Sequence, residues 1–315
     1  MADVTVSFIG LNQGLLTAKG PDCCGELIFD DLQIPSGVVH KVSSSVKRLN
    51  IPSPLFEKRI KESHKGLYGH VLVIGGDIGM SGAARLACEA ALRTGTGLVS
   101  LATRYAHASV ISSVRPEIMS YPAERESEIE FLLEKASVIA IGPGLGQSEW
   151  AATLFATAVN SHKPLVVDAD GLNLLAIEPL QHDNWILTPH PGEAARLLGL
   201  SVEEIQADRF SAVKQLAEKF AATVVLKGNG SLVYSEGTTY LCDKGNPGMA
   251  SGGMGDILTG IIASLLAQGF SLTEAAKVGV YLHAAAGDAA AKGAGERGLL
   301  ASELMPSIRR LVNLS

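Results

Sequence analysis

Between residues 250 and 256 the chain reads ASGGMGD, with Asp256 just after three glycines and just before the apolar run ILTGIIASLLAQG. Glycines at such a junction let the backbone turn sharply and leave N–H groups facing an approaching anion, and the positive end of the following helix adds to that field. A carboxylate set into an anion-binding turn is repelled by the anion unless it has a task. The task that fits is to take the proton of a hydroxyl as that hydroxyl attacks a phosphoryl group. On this reading Asp256 is a general base, and the N–H groups of Gly252, Gly253, Met254 and Gly255 form an anion hole. The plainer reading is that Asp256 caps the helix, as Asp commonly does, but a cap has no need of three glycines.

Other stretches carry chemistry less specifically. KGNGS (227–231) sets a lysine before a Gly-rich turn, which suits a nucleotide phosphate or an adenosine edge. Asn-Gly is equally a hairpin signal leading into LVYSEGTTYL. In TPHPGE (188–193) two prolines fix the direction of the His190 imidazole, and Glu193 falls in the first turn of a helix. There it serves the helix dipole or, beside a phosphate, reaches Mg²⁺ through water. Asp168 and Asp170 in DADGLNLL either bind a ligand or cap the next helix. IGPGLG (141–146) lacks the spacing of a Walker A loop, and GGDIGMSGAA (75–84) matches a dinucleotide fingerprint only loosely. His64, His70 and His283 have no partner at metal spacing and are read as packing or hydrogen-bonding residues.

These groups need elements to hold them. HVLVIGG (70–76), GLVSLAT (97–103), ASVIAIGPG (136–144), KPLVVDADG (163–171), NWILTPH (184–190) and ATVVLKG (222–228) read as buried strands, alternating with helical patterns such as SGAARLACEAALRTG (81–95). That alternation predicts an α/β fold with a central, mostly parallel sheet and helices on both faces. Strand after strand ends in Gly, Asp, His or Lys, and ligands of parallel α/β sheets bind at those ends, so one cleft is expected. Hydrophobic residues make up 47% of the 315, enough for a large core, and the net charge of −6 comes without a basic block, so nucleic acid is not an expected partner. The four cysteines show no C-x-x-C pairing and read as reduced thiols. No apolar run is long enough to span a bilayer and the start lacks a signal pattern, so a cytoplasmic, membrane-free protein is expected. Residues 1–42 are short strand-like pieces, and SSSVKRLNIPSP reads as a linker.

With the motifs in this order, the chain resembles the ADP-dependent NAD(P)H-hydrate dehydratases of the ribokinase-like superfamily. The resemblance rests on SHKGLYGHVLVIGG, SGAARLACEAALRTGTGLV, IGPGLGQSEW, DADGLNLLA, TPHPGEAARLLG, VVLKGNGS and GNPGMASGGMGDILTGIIASLLAQG, over residues 63–312. It implies that ADP is consumed in dehydrating (6S)-hydrated NADH or NADPH, giving the intact cofactor, AMP and phosphate; Mg²⁺ is the expected cofactor on the reading of Glu193 given above. The resemblance also implies hydrate contacts at Ala83, Gly144, His190 and Asp256, and nucleotide contacts at Lys227, Gly228, Asn229, Gly230, Ser231 and Gly255. Residues 1–42 resemble the tail of the epimerase domain that precedes this domain in bifunctional members, down to TVSFIGLNQGLLT. The expected division is therefore an epimerase-type remnant (1–42), a linker (43–62) and a dehydratase domain (63–315). The remnant is expected to be loosely attached and without epimerase activity, a separate epimerase being a possible partner. A homo-oligomer, a tetramer, is expected from the family and from Ala- and Gly-rich helices that suit close packing between subunits. The alternatives are a ribokinase-like kinase of a vitamin-precursor alcohol and a non-catalytic nucleotide-binding regulator.

Overall fold

The run HVLVI is buried at every position. Val71 and Val73 face one hydrophobic core while Leu72 and Ile74 face another, because successive strand side chains point to opposite faces and both faces here are covered. The computed structural model describes residues 1–39, 41, 44–51 and 56–314. Its strands are β1 (Val4–Phe8), β2 (Glu26–Asp30), β3 (Val46–Arg48), β4 (His70–Ile74), β5 (Leu98–Thr103), β6 (Ile118–Pro122), β7 (Val138–Ile141), β8 (Leu165–Val167), β9 (Trp185–Leu187), β10 (Thr223–Leu226), β11 (Ser231–Ser235) and β12 (Thr238–Cys242).

Ten of them form one sheet in the order β3-β12-β11-β10-β9-β8-β7-β4-β5-β6. From β6 through to β10 every pairing is parallel; β10, β11 and β12 pair antiparallel. This is the mostly parallel, doubly covered α/β sheet that the strand and helix patterns predict. Helices Ser81–Thr94, Met254–Ala267, Leu272–Ala294 and Leu304–Leu311 cover one face. Glu149–Asn160, Ala169–Ile177, Pro191–Leu198 and Arg209–Phe220 cover the other. The small residues of the first two helices are used within the chain: a Cβ on Gly260 would come 2.1 Å from the Ala87 carbonyl oxygen. The chain builds β4, β5 and β6 outward, then returns to lay β7 on the other side of β4. Such a reversal opens a crevice at the carboxyl ends of the two strands.

Residues ahead of the main body behave in three ways. β1 and β2 pair parallel as a separate two-stranded sheet that leaves Val4, Val6, Phe8, Ile28 and Phe29 exposed. β3, inside the stretch expected to be a linker, pairs with β12 and extends the large sheet; residues 43 and 52–55 of that stretch, and residues 40 and 42 before it, lie outside the described residues. Thr17 and Ala18 are bonded to the turn between β10 and β11. Loose attachment of the front segment therefore does not hold at this point, since backbone polar groups of the turn that would need other partners are satisfied there. No helix among the described residues is long and apolar enough to cross a membrane.

Candidate active site

The crevice between β4 and β7 is lined by the glycine-rich ends of both strands. Gly76 N donates to Pro143 O (3.0 Å) and Asp77 N to Gly144 O (2.6 Å), so the two loops are bonded to each other. Asp170 holds the second loop from below, its Oδ2 accepting from Gly146 N at 2.8 Å. Ala83, in the first turn of helix Ser81–Thr94, lies beside Gly144: a Cβ on that glycine would come 3.2 Å from the Ala83 methyl. Two residues distant in sequence thus share one wall of the crevice.

The start of helix Met254–Ala267 packs beside Leu86 of helix Ser81–Thr94 and over Asp168 and Lys227. Its N-cap is Gly253, at φ 92° in the left-handed region, where a side chain would also strike Leu86 at 2.6 Å. Gly252 is exposed, with open space where a Cβ would stand. Ile257 N makes an intrahelical bond back to Gly253 O (3.1 Å). The N–H groups of Met254, Gly255 and Asp256 come before it and, like those of any helix start, lack an intrahelical acceptor. No side chain caps this helix, so Asp256 is not its cap.

Beneath Asp256 lies a buried set of charges. Lys227 Nζ is 2.5 Å from Asp168 Oδ1 and 3.6 Å from Glu193 Oε2, and Thr259 donates to Asp168 Oδ2 at 2.9 Å. A Cβ on Gly255 would sit 3.3 Å from both Asp168 Oδ2 and Lys227 Nζ, so the helix start rests directly on this pair. Burial alone would raise the Asp168 carboxyl, but the Lys227 ammonium and the Thr188 and Thr259 hydroxyls outweigh it and hold it below its ordinary value. Burial would lower Lys227, yet Asp168 and Glu193 keep it above its own. Asp256 and Glu193 are pushed the other way, each to about 7, by burial and by the Asp168 charge, with Lys227 opposing. One fixed ion pair is thus flanked by two carboxyls poised near neutrality, where a general base works best.

The sequence reading of Asp168 left ligand and cap open. The structure gives it neither a cap bond nor an exposed face, and makes it the counter-ion of Lys227. Lys227, expected on the nucleotide, turns its ammonium inward to these carboxylates. His190 is the N-cap of helix Pro191–Leu198. Its Nδ1 accepts from Gly192 N (2.9 Å) and Glu193 N (3.3 Å), and Glu193 Oε2 accepts from His190 N (2.7 Å) in return. Burial and the Lys227 charge keep the imidazole below its ordinary pKa. The neutral ring therefore carries its hydrogen on Nε2, on a half-exposed side chain.

The sequence leaves Glu193 either serving the helix dipole or, beside a phosphate, reaching magnesium through water. Glu193 is 4% exposed, one oxygen accepts from His190 N, and the Lys227 cation stands 3.6 Å away, which opposes a second cation. Among the described residues no group of three or more His, Cys, Asp or Glu could hold a metal ion. Glu193 does not fit a metal ligand.

Residues 227–230 join antiparallel β10 and β11, so Asn-Gly does lie in a hairpin, though the connection has four residues and not two, and the ligand reading sits on the same turn. Arg209, fully buried at the start of its helix, donates from Nη2 to Leu226 O (3.2 Å) and Lys227 O (3.2 Å) beneath it. Burial lowers this arginine to about 10. Sequence reading missed Arg209, and nothing local signals it. It also missed Thr259, which the three-residue spacing from Asp256 along one helix would have flagged.

A family model described as NAD(P)H-hydrate dehydratase matches residues 71–310. A bifunctional NAD(P)H-hydrate repair enzyme of Coxiella burnetii is 51% identical over 99% of this chain and 64% of its own length. An ADP-dependent (S)-NAD(P)H-hydrate dehydratase of Neisseria meningitidis is 42% identical over 82% of this chain and 90% of its own. Among solved structures, an ADP/ATP-dependent NAD(P)H-hydrate dehydratase of Bacillus subtilis, crystallised with ATP and Mg²⁺, superposes with a TM-score of 0.72 at 32% identity, covering 81% of this chain and 93% of that one. The chain spans less than two thirds of the length of the bifunctional relatives it matches, 64% and 61% for two of them.

Proposed function

From the premise that this chain belongs to the NAD(P)H-hydrate dehydratase family, we propose that it dehydrates (6S)-hydrated NADH or NADPH at the expense of ADP. The observation that carries the reading is the Asp256 carboxyl, raised to about 7 at the start of a helix whose first N–H groups are open. Asp256 takes the proton of the ring hydroxyl, whose oxygen attacks the β-phosphorus of ADP. An O–P bond forms, the bridging P–O bond breaks, and AMP leaves. Backbone N–H groups of the Gly252–Gly255 turn hold the charge that develops on the transferred group. Hydroxide is a poor leaving group and phosphate a good one, so the ring nitrogen lone pair then expels the phosphate. Loss of a proton from the neighbouring ring carbon completes NADH or NADPH.

In this reading the ring lies against Ala83, Gly144 and the Nε2–H of His190, and the nucleotide lies on Gly228–Ser231 and Gly255. Lys227 and Asp168 act from below as a fixed pair that tunes Asp256. Magnesium comes as the counter-ion of the nucleotide phosphates, not as a ligand of Glu193. The dehydratase body is residues 63–315 extended by β3 (Val46–Arg48), which pairs with β12; residues 1–42 are the tail of an epimerase-type domain, and the protein works in the cytoplasm as a homotetramer alongside an epimerase. The test follows absorbance at the reduced-nicotinamide band with hydrated NADH or NADPH and ADP or ATP. The band should appear with ADP. Phosphorylation of an alcohol with no return of the band would replace this reading with a kinase.

A further inference from the structure

The turn that carries the proposed nucleotide contacts is gripped by a segment about 210 residues away in sequence. Thr17 is buried, and its hydroxyl lies 3.0 Å from both Asn229 O and Gly230 O. Ala18 N donates to Asn229 O at 3.0 Å, and Asn229 Nδ2 donates back to Ala18 O at 2.9 Å. The two backbones lie flush: a Cβ on Gly230, itself at φ 65°, would come 2.1 Å from Leu16 O and 2.7 Å from Thr17 Cα. Ala18 is held at φ 53°, a left-handed conformation that a residue with a side chain keeps only where its surroundings impose it. The segment has its own local order, with Asn12 Oδ1 accepting from Gly14 N at 3.0 Å and Gly20 N donating to Thr17 O at 3.0 Å. On the inner side, Arg209 Nη2 bonds the carbonyls at the root of the turn.

A trans peptide points its N–H opposite to the preceding carbonyl. Anchoring the Asn229 carbonyl on Thr17 and Ala18 therefore sets the direction of the Gly230 N–H. We infer that residues 12–19 are a positioning element for the nucleotide, with Thr17 the residue that holds the Asn229–Gly230 peptides in the receiving shape. The inference rests on the reading of this turn as the nucleotide site. It also makes the front segment part of the working enzyme, whatever else that segment belongs to.

The test uses the full chain. Thr17→Val keeps the volume and removes the hydroxyl. It should raise the KM for ADP by about two- to tenfold, the cost of one buried hydrogen bond, and leave the KM for the hydrate and kcat at saturating ADP unchanged. Amide exchange at residues 228–231 should quicken in the free protein, and Thr17→Ser should restore both readings. Asn12→Ala, at an exposed position that loosens the same segment, should shift the KM for ADP in the same direction if the valine variant folds poorly. Two outcomes separate the ideas. If ADP slows exchange at residues 228–231 but these variants keep the parental KM for ADP, the positioning role is wrong and the nucleotide site stands. If ADP leaves exchange in the turn unchanged, the nucleotide reading fails and the inference goes with it.

Discussion

Asp256 is a carboxyl kept near neutrality by where it is buried and by which charge lies beneath it. Its replacement by Asn should cut turnover by about 10²–10⁴-fold, the usual worth of a general base, while isothermal titration still finds ADP bound. A variant that keeps more than about a tenth of the parental rate would remove the base assignment. The pH dependence follows from the same group. Activity should rise as Asp256 loses its proton, with kcat/KM climbing through pH about 7, and that limb should vanish in Asp256→Asn. Stability runs the opposite way. In the folded state the carboxyl keeps its proton between its ordinary value and about 7, where the unfolded chain has already released it. Stability from this group is therefore lost as pH rises through that window. Asp256→Asn should unfold at higher denaturant than the parent at pH 8, by the order of a few kcal/mol, with the gap narrowing toward pH 5. Equal stability at both pH values would mean that the carboxyl is not raised.

The helix Met254–Ala267 joins the base to the core. From Ile257 through Leu265 its residues are buried, so its place is set by packing against helix Ser81–Thr94, and the helix start follows. Gly253 is the joint. Its left-handed φ and the Leu86 side chain 2.6 Å from where a Cβ would stand both exclude a β-branched residue. Gly253→Val should lower the melting temperature, through strain of about 1–3 kcal/mol, and reduce kcat/KM as the helix start moves off the Lys227–Asp168 pair. Gly252→Ala, in open space, should do neither. A valine variant with parental kinetics would make the turn structural only. The three glycines look alike in the sequence and differ here: Gly253 answers to conformation, Gly255 to the Asp168 and Lys227 side chains against it, and Gly252 to no close contact.

At the scale of the molecule, the main sheet is closed on both faces by helices, while the β1–β2 sheet leaves apolar side chains in solvent. Exposed strands of this kind attract partners, so two surfaces compete to explain any assembly. On the proposed reading, residues 63–315 build the tetramer. Val6→Lys combined with Phe8→Lys should then leave both the light-scattering mass and the hydrate assay unchanged. A fall to monomer would transfer the interface to the front sheet.

The sequence by itself determined the fold class, because covered parallel strands must be apolar throughout and their helices must repeat apolar residues at helical spacing. It also singled out Asp256, since a carboxylate among turn glycines is chemically conspicuous, and GNG, whose hairpin and ligand readings fall on one turn. The partners of these residues were decided only by the tertiary structure. Lys227 could be read as reaching outward or inward, and only the approach of β8 and β10 across β9 brings it onto Asp168. Arg209, Thr17 and the strand at Val46–Arg48 carry no local mark of their roles, because each acts on a backbone far away in the chain. The raised carboxyls belong to the same class: burial and a neighbour's charge set them, and both arise only when separate elements meet.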